Sequence, residues 1–205
     1  MKLFGSPFSP YVRKVRVLLK EKQLPCEFVI EDPWPPASKI PGMNPLGKVP
    51  VLEVGPGNFL FESVMVTHYL DNLDGKPLQP QDAAGYWQSQ WWQALGNGML
   101  DATIARILET RRPADKQMPE KMQREEARIA RAFATAANAY QGGKFLAGGK
   151  FTLADLVMGV ACQYIDLRYP HAWRAQHPRL KKWFDGIAAR PAFVATLPPG
   201  FTPVA

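Results

Sequence analysis

The chain has 205 residues, 46% of them hydrophobic and 21% charged, enough to bury a core as one large domain or two small ones, and two fits better. No apolar run approaches the length of a membrane span, and Met1 leads straight into a strand pattern with no basic segment before an apolar one, so the expected address is the cytoplasm, with no membrane partner. Of the net +7 charge, residues 1–78 hold 9 Lys or Arg against 8 Asp or Glu and residues 79–205 hold 16 against 10; the surplus is interleaved with Glu120, Glu125 and Glu126 along helical faces, and no nucleic-acid motif accompanies it.

In chain order, Lys2-Leu3-Phe4-Gly5 reads as a short strand. Ser6-Pro7-Phe8-Ser9-Pro10-Tyr11 then breaks into a helix, with Ser9 as its N-cap and Pro10 at the first helical position, where a missing N–H costs nothing. That helix runs from about residue 10 to 23, and Val12, Val15, Val17, Leu18 and Leu19 form its apolar face. Cys26, Phe28 and Ile30 alternate with Glu27, Val29 and Glu31, the period of a strand with one face buried. Cys26 and Cys162 are far apart and unpatterned, and three scattered histidines give no ligand spacing, so neither a disulfide nor a metal site is expected.

Residues 33–50 are too rich in proline for a long helix. Within them, Asn44-Pro45-Leu46-Gly47-Lys48-Val49-Pro50 forces a rigid extended turn ahead of the apolar strand that begins at Val51-Leu52. Pro50 has no N–H to give, and it holds Val49 extended, with the N–H and C=O of Val49 free to pair outside the sheet. Both isomers of the Val49-Pro50 bond stay open. A Gly55-Pro56-Gly57-Asn58 turn leads to the strand Phe59-Leu60-Phe61, and Glu62-Ser63 opens a helix over 64–73 that packs through Val66, Tyr69, Leu70 and Leu73.

Glycine and proline punctuation then makes residues 74–81 a linker, after which Asp82 caps a long helix carrying Trp87, Trp91, Leu95, Met99, Leu100, Ile104, Ile107 and Leu108 at helical spacing. Gly96 and Gly98 interrupt it and are expected to admit a partner helix or ligand closely. Pro119 starts another helix, with Met122, Ile129, Phe133, Ala136 and Tyr140 on one face. Thr152-Leu153-Ala154-Asp155 reads as a capping box opening a largely apolar and therefore central helix, so Thr152 and Asp155 are folding determinants. A last helix from about Pro178 holds Leu180, Trp183, Phe184 and Ile187, and Arg190-Pro191 ends it.

Ser9-Pro10-Tyr11, the segment Asn44-Pro45-Leu46-Gly47-Lys48-Val49-Pro50, and Glu62-Ser63 stand in register along this order of elements. Together they resemble a cytosolic glutathione transferase, and the resemblance covers the whole chain. It implies an α/β thioredoxin-like N-terminal domain (βαβαββα) over residues 1–75 that binds glutathione, and an all-α helical domain over 82–205 that forms the electrophile pocket. The Ser9-Pro10 pair resembles the serine-using theta and zeta types and their bacterial relatives.

The resemblance further implies the roles of individual residues. Ser9 is the catalytic group, stabilising the glutathione thiolate without itself attacking. Val49, beside Lys48 and Pro50, pairs with the cysteinyl backbone of the tripeptide. Ser63 and Glu62 take the carboxylate and ammonium of its γ-glutamyl end, and Lys39 meets the glycine end. Glutathione is a substrate here, with a small electrophile or peroxide as the second one, and no metal. A homodimer is implied, with Met65, Trp87, Trp91 and Trp92 offered for apolar contacts. Relatives that reduce disulfides carry cysteine where Ser9 stands, so that chemistry is disfavoured. The alternative is a non-catalytic member of the fold acting as a regulatory or protein-interaction module.

Overall fold

A computed structural model describes residues 1–202 and divides the chain into two compact units, Met1–Leu78 with Arg190–Phe201, and Gln79–Ala189. No helix among the described residues is long and apolar enough to cross a membrane.

The first unit runs β1 (Lys2–Gly5), α1 (Pro10–Glu21), β2 (Glu27–Ile30), α2 (Ile40–Met43), β3 (Val51–Gly55), β4 (Asn58–Phe61) and α3 (Ser63–Asn72), the βαβαββα order expected. Its sheet has the order β2-β1-β3-β4, with β1 parallel to β2 and antiparallel to β3, and β3 antiparallel to β4. Leu3 and Leu52, paired across β1 and β3, are fully buried together with Val12, Val15 and Leu18 of α1 and Val66 and Leu70 of α3. Gly5 lets α1 come down onto β1, because a Cβ there would collide with Val12 Cγ2.

Two expectations about packing fail here. Ile30 is 69% exposed, not buried, because β2 is one of the two edge strands of the sheet, with no strand on its far side among the described residues, a fact of strand order that alternation within β2 cannot encode. Tyr69 on α3 and Leu73 at its C-cap are exposed, while Thr67 and Asp71 are buried in their stead. Asp71 is held inside by Lys22, whose ammonium donates to Asp71 O at 2.6 Å and Lys76 O at 2.8 Å and pairs with the Asp71 and Asp74 carboxylates at 3.6 and 2.7 Å. A buried ammonium surrounded by four oxygens is fully satisfied, which is the condition for keeping it inside.

The unit closes with a segment from the other end of the chain, α9 (Pro191–Val194). Arg13, a buried residue of α1, donates to Phe193 O at 3.1 Å and Thr196 O at 3.2 Å, and burial pushes its guanidinium down to about 10. Arg190 grips Glu21 with two bonds of 2.8 and 2.7 Å. Where the sequence alone points to a helical domain over 82–205, the structure therefore groups Arg190–Phe201 with the first unit; residues 203–205 of that span lie outside the described residues.

The second unit is α4 (Ala83–Thr110), α5 (Pro119–Ala139), α6 (Leu153–Arg168), α7 (Trp173–Gln176) and α8 (Pro178–Ala188), with a 3-10 turn at Ala114–Lys116. Asp82 caps α4 as expected, accepting from the Gly85 amide at 2.8 Å. Every residue of α6 from Leu153 to Ile165 is buried. Gly96 makes the close approach to α6 possible, since a Cβ there would come 2.9 Å from Val157 Cγ1 and 3.3 Å from the Met158 amide; Gly98 faces open space and serves no such contact. The capping box is formed: Asp155 accepts from the Thr152 amide at 3.0 Å, and also from Leu146 N–H at 2.9 Å and Trp183 Nε1–H at 3.0 Å. Trp87 and Trp91 stay exposed, whereas Trp92, one position on, is 2% exposed and belongs to the core.

Candidate functional site

Strand register brings the singled-out residues of the first unit to one end of its sheet. Phe4 pairs with Val51 and Val51 with Phe61, while Gly5 pairs with Ile30. The C-terminal ends of β1, β2 and β4 and the N-terminal end of β3 therefore share an edge. From that edge emerge the turn to Ser9, the segment to Lys39, the Lys48-Val49-Pro50 turn and the Glu62-Ser63 step.

Ser9 holds extended backbone angles, φ −78° and ψ 125°, and its hydroxyl oxygen accepts from Val12 N–H at 3.3 Å, so it caps α1. The hydroxyl proton itself has no acceptor among the described residues. The residue is half-buried, and its neighbour Phe8 is 46% exposed, so Phe8 is not a core residue.

The Val49–Pro50 peptide is cis. Pro50 is buried, Val49 half-buried, and the N–H and C=O of Val49 form no hydrogen bond among the described residues. The turn is fixed from beneath by Asn44, which is 1% exposed: its amide donates to Lys48 O at 2.7 Å, and its side-chain oxygen accepts from Leu46 N–H at 3.0 Å. Gly47, at φ 62°, takes the left-handed corner. Asn44 is the supporting residue that sequence reasoning left without a role. Its signal was legible, because an Asn bonding the backbone two residues on is a turn former.

Glu62 is one of two non-glycine residues with positive φ among the described residues, at φ 69° and ψ 118°. Backbone strain of this kind costs about 1–3 kcal/mol and persists only where surrounding contacts hold it. They do so here. Glu62 is the N-cap of α3: Oε2 accepts from Val64 N–H at 3.0 Å, and Oε1 accepts from the Ser63 hydroxyl at 3.3 Å. Ser63 is 3% exposed, and Thr67 donates to its carbonyl at 2.9 Å. The cap thus belongs to Glu62 and not to Ser63. The amides of Ser63 and Met65 find no acceptor among the described residues, so the positive end of α3 stays partly unsatisfied.

Lys39 and Lys48 are exposed, and neither ammonium meets an acceptor among the described residues. Lys39 is placed through its backbone, whose N–H donates to Glu31 Oε1 at 3.0 Å. Among the described residues no group of three His, Cys, Asp or Glu side chains could hold a metal ion.

Known proteins share this fold. The glutathione S-transferase N-terminal domain family matches residues 3–78, and the glutathione S-transferase C-terminal domain family matches residues 119–186. The uncharacterized GST-like protein YibF of Escherichia coli is 31% identical over 97% of this chain and 99% of its own. Among solved structures, a glutathione S-transferase of Methylobacillus flagellatus with glutathione bound superposes with a TM-score of 0.91 at 32% identity, over 96% of this chain and 98% of that one. Another, from Methylobacterium radiotolerans in complex with glutathione sulfonate, gives 0.90 at 32% identity, over 100% and 99%. The chain belongs to the glutathione S-transferase family.

Proposed function

We propose that the protein binds glutathione at this end of the sheet and activates its thiol for attack on a small electrophile or a peroxide. The observation that carries the reading is the convergence, through strand register, of a Ser9 hydroxyl whose proton is still to be given, an unpaired peptide at Val49 and the underfilled helix end at Glu62-Ser63. Each suits one part of the tripeptide. The Val49 N–H and C=O add the cysteinyl backbone as a strand. The Ser63 hydroxyl and α3 amides receive the γ-glutamyl carboxylate, and Glu62 receives its ammonium. Lys39, with Lys48 beside the turn, supplies positive charge for the glycine carboxylate.

The chemistry asked of Ser9 is control of a proton. A free thiol titrates near about 8.5 and is mostly protonated at neutral pH, while the nucleophile is the thiolate. A donated hydroxyl proton and the N-terminus of α1 each favour the sulfur anion by about 1 kcal/mol, so together they bring its titration toward neutrality. Ser9 forms no bond to substrate in this scheme.

Titration calorimetry with glutathione, followed by turnover with an aryl halide, tests the reading. Absence of binding heat contradicts it outright. Binding without turnover against electrophiles or peroxides favours the non-catalytic module, in which Ser9 is only the cap that its bond to Val12 already makes it.

The working form we propose is a cytoplasmic homodimer, with exposed Met65, Trp87 and Trp91 as apolar contacts and buried Trp92 excluded from them. Light scattering at micromolar concentration is expected to give twice the chain mass, and a stable monomer rejects the assembly.

A further inference from the structure

α7 has only 4 residues, too few to hold a helix by themselves, so its place in the second unit depends on what its side chains and its first amide meet. Trp173 is fully buried, stacks on Phe133 of α5 at 4.7 Å and packs edge-on against Phe184 of α8 at 5.5 Å. Its indole N–H donates to Asp166 Oδ1 of α6 at 2.9 Å, and the Arg174 guanidinium pairs with that same oxygen at 2.7 Å. The other oxygen, Asp166 Oδ2, is buried with no hydrogen bond among the described residues. The first amide of α7 has a titratable acceptor: Trp173 N–H donates to His171 Nδ1 at 3.0 Å. That bond requires a neutral imidazole with its proton on Nε2.

We propose that His171 is a proton-operated latch on the corner between α6 and α7: neutral, it holds the Trp173 amide through Nδ1; protonated, it releases that amide, turns to Asp166 Oδ2, and the corner opens. Protonation places an N–H on Nδ1, facing the Trp173 N–H, and two donors cannot share one bond. Asp166 Oδ2 is an acceptor still without a partner, and the charge of its carboxylate favours the proton on His171. The groups around the ring divide. Burial beside Phe133 and Tyr169 opposes the charge most strongly, Asp166 of α6 and Glu126 of α5 favour it, and His177 ahead of α8 opposes it, so the imidazole is held below its ordinary value of 6.5. The cations at this corner, Arg174 of α7 and Arg106 of α4, are already paired with Asp166 and Glu126. A base whose folded value is depressed stabilises the fold while it is neutral. The latch is therefore closed above pH 6.5 and gives way as pH falls from there through the folded value, a window above the range of ordinary carboxylates.

The test is amide hydrogen exchange of the isotope-labelled protein at about pH 8 and about pH 5, on either side of histidine titration, with each rate corrected for the intrinsic rate at that pH. In wild type the Trp173 amide is expected to lose protection about ten-fold on the acid side, the worth of one hydrogen bond, while the buried amides in the middle of α6 keep theirs. His171→Asn retains an acceptor that does not titrate, since an Asn side chain bonds the backbone two residues on, and its Trp173 amide should be equally protected at both pH values. The nitrogen shifts of the His171 ring should place the proton on Nε2 at the alkaline end. Trp173 protection that is the same at both pH values in wild type overturns the proposal, as does an acid loss that persists in His171→Asn or an alkaline proton on Nδ1. A parallel fall across α6 would make the change global and would equally overturn a latch at this corner.

Discussion

The Ser9 hydroxyl oxygen accepts the Val12 amide proton at 3.3 Å while its own proton meets no acceptor among the described residues. A hydroxyl can accept and donate at once. Helix cap and thiolate donor are therefore compatible roles for one side chain, and the cap orients the group that the chemistry requires.

Ser63→Ala removes a donor proposed for the γ-glutamyl carboxylate but leaves the carbonyl that anchors Thr67. The fold should persist while glutathione affinity drops by about 1–2 kcal/mol, or five- to thirty-fold. Calorimetry giving unchanged affinity removes Ser63 from the site.

Acid should loosen the first unit through Asp74. Its hydrogen bond to the Lys22 ammonium holds its carboxyl below the ordinary value of 3.8. A carboxyl whose folded value is depressed contributes stability that is present above its unfolded value and lost as pH falls through the folded one. Stability should therefore decline on acidification below about pH 4, and Asp74→Asn should flatten that decline. Urea midpoints at a series of pH values read the slope; identical slopes for the two proteins reject the link.

Asp155 provides a contrast from the second unit. Asp155→Ala leaves the amides of Leu146 and Thr152 and the Trp183 indole N–H buried without their acceptor. Burial also pushes the Asp155 carboxyl up, so its charge carries a cost that the mutation relieves. The net loss should be about 2–3 kcal/mol by denaturant unfolding. Glutathione affinity of the folded fraction should not move, because the proposed contacts all lie in the first unit; a specific loss of affinity would reassign Asp155 to the site.

What was legible in the sequence was local. The Ser9, Asp82 and Thr152 caps are decided within four residues of chain, and all three form. The rest depended on distant partners. Ile30 is exposed because of where β2 falls in strand order, and α3 turns Asp71 inward because Lys22, 49 residues earlier, arrives to meet it. Arg13 draws residues 180 and 183 positions away onto α1, which no periodicity within the helical half announces. At the site, the residue types and their order were readable, but the division of labour between Glu62 and Ser63 was not. It follows from a positive φ at Glu62 that swings its carboxylate onto α3 and makes it the cap.

The role of Ser9 is read most directly by titrating the bound thiol in wild type and Ser9→Ala. Thiolate absorbance in the ultraviolet is followed against pH with the protein saturated by glutathione. The bound-thiol pKa should lie below that of free glutathione in wild type and rise in Ser9→Ala by about 1 unit, the equivalent of one hydrogen bond to a charged group. Affinity should be nearly unchanged, because the Val49, Glu62 and Ser63 contacts remain, and activity at neutral pH should fall, the mark of an interaction that favours the reactive state over binding. The same bound-thiol pKa in both proteins would contradict the account and leave Ser9 as a helix cap alone.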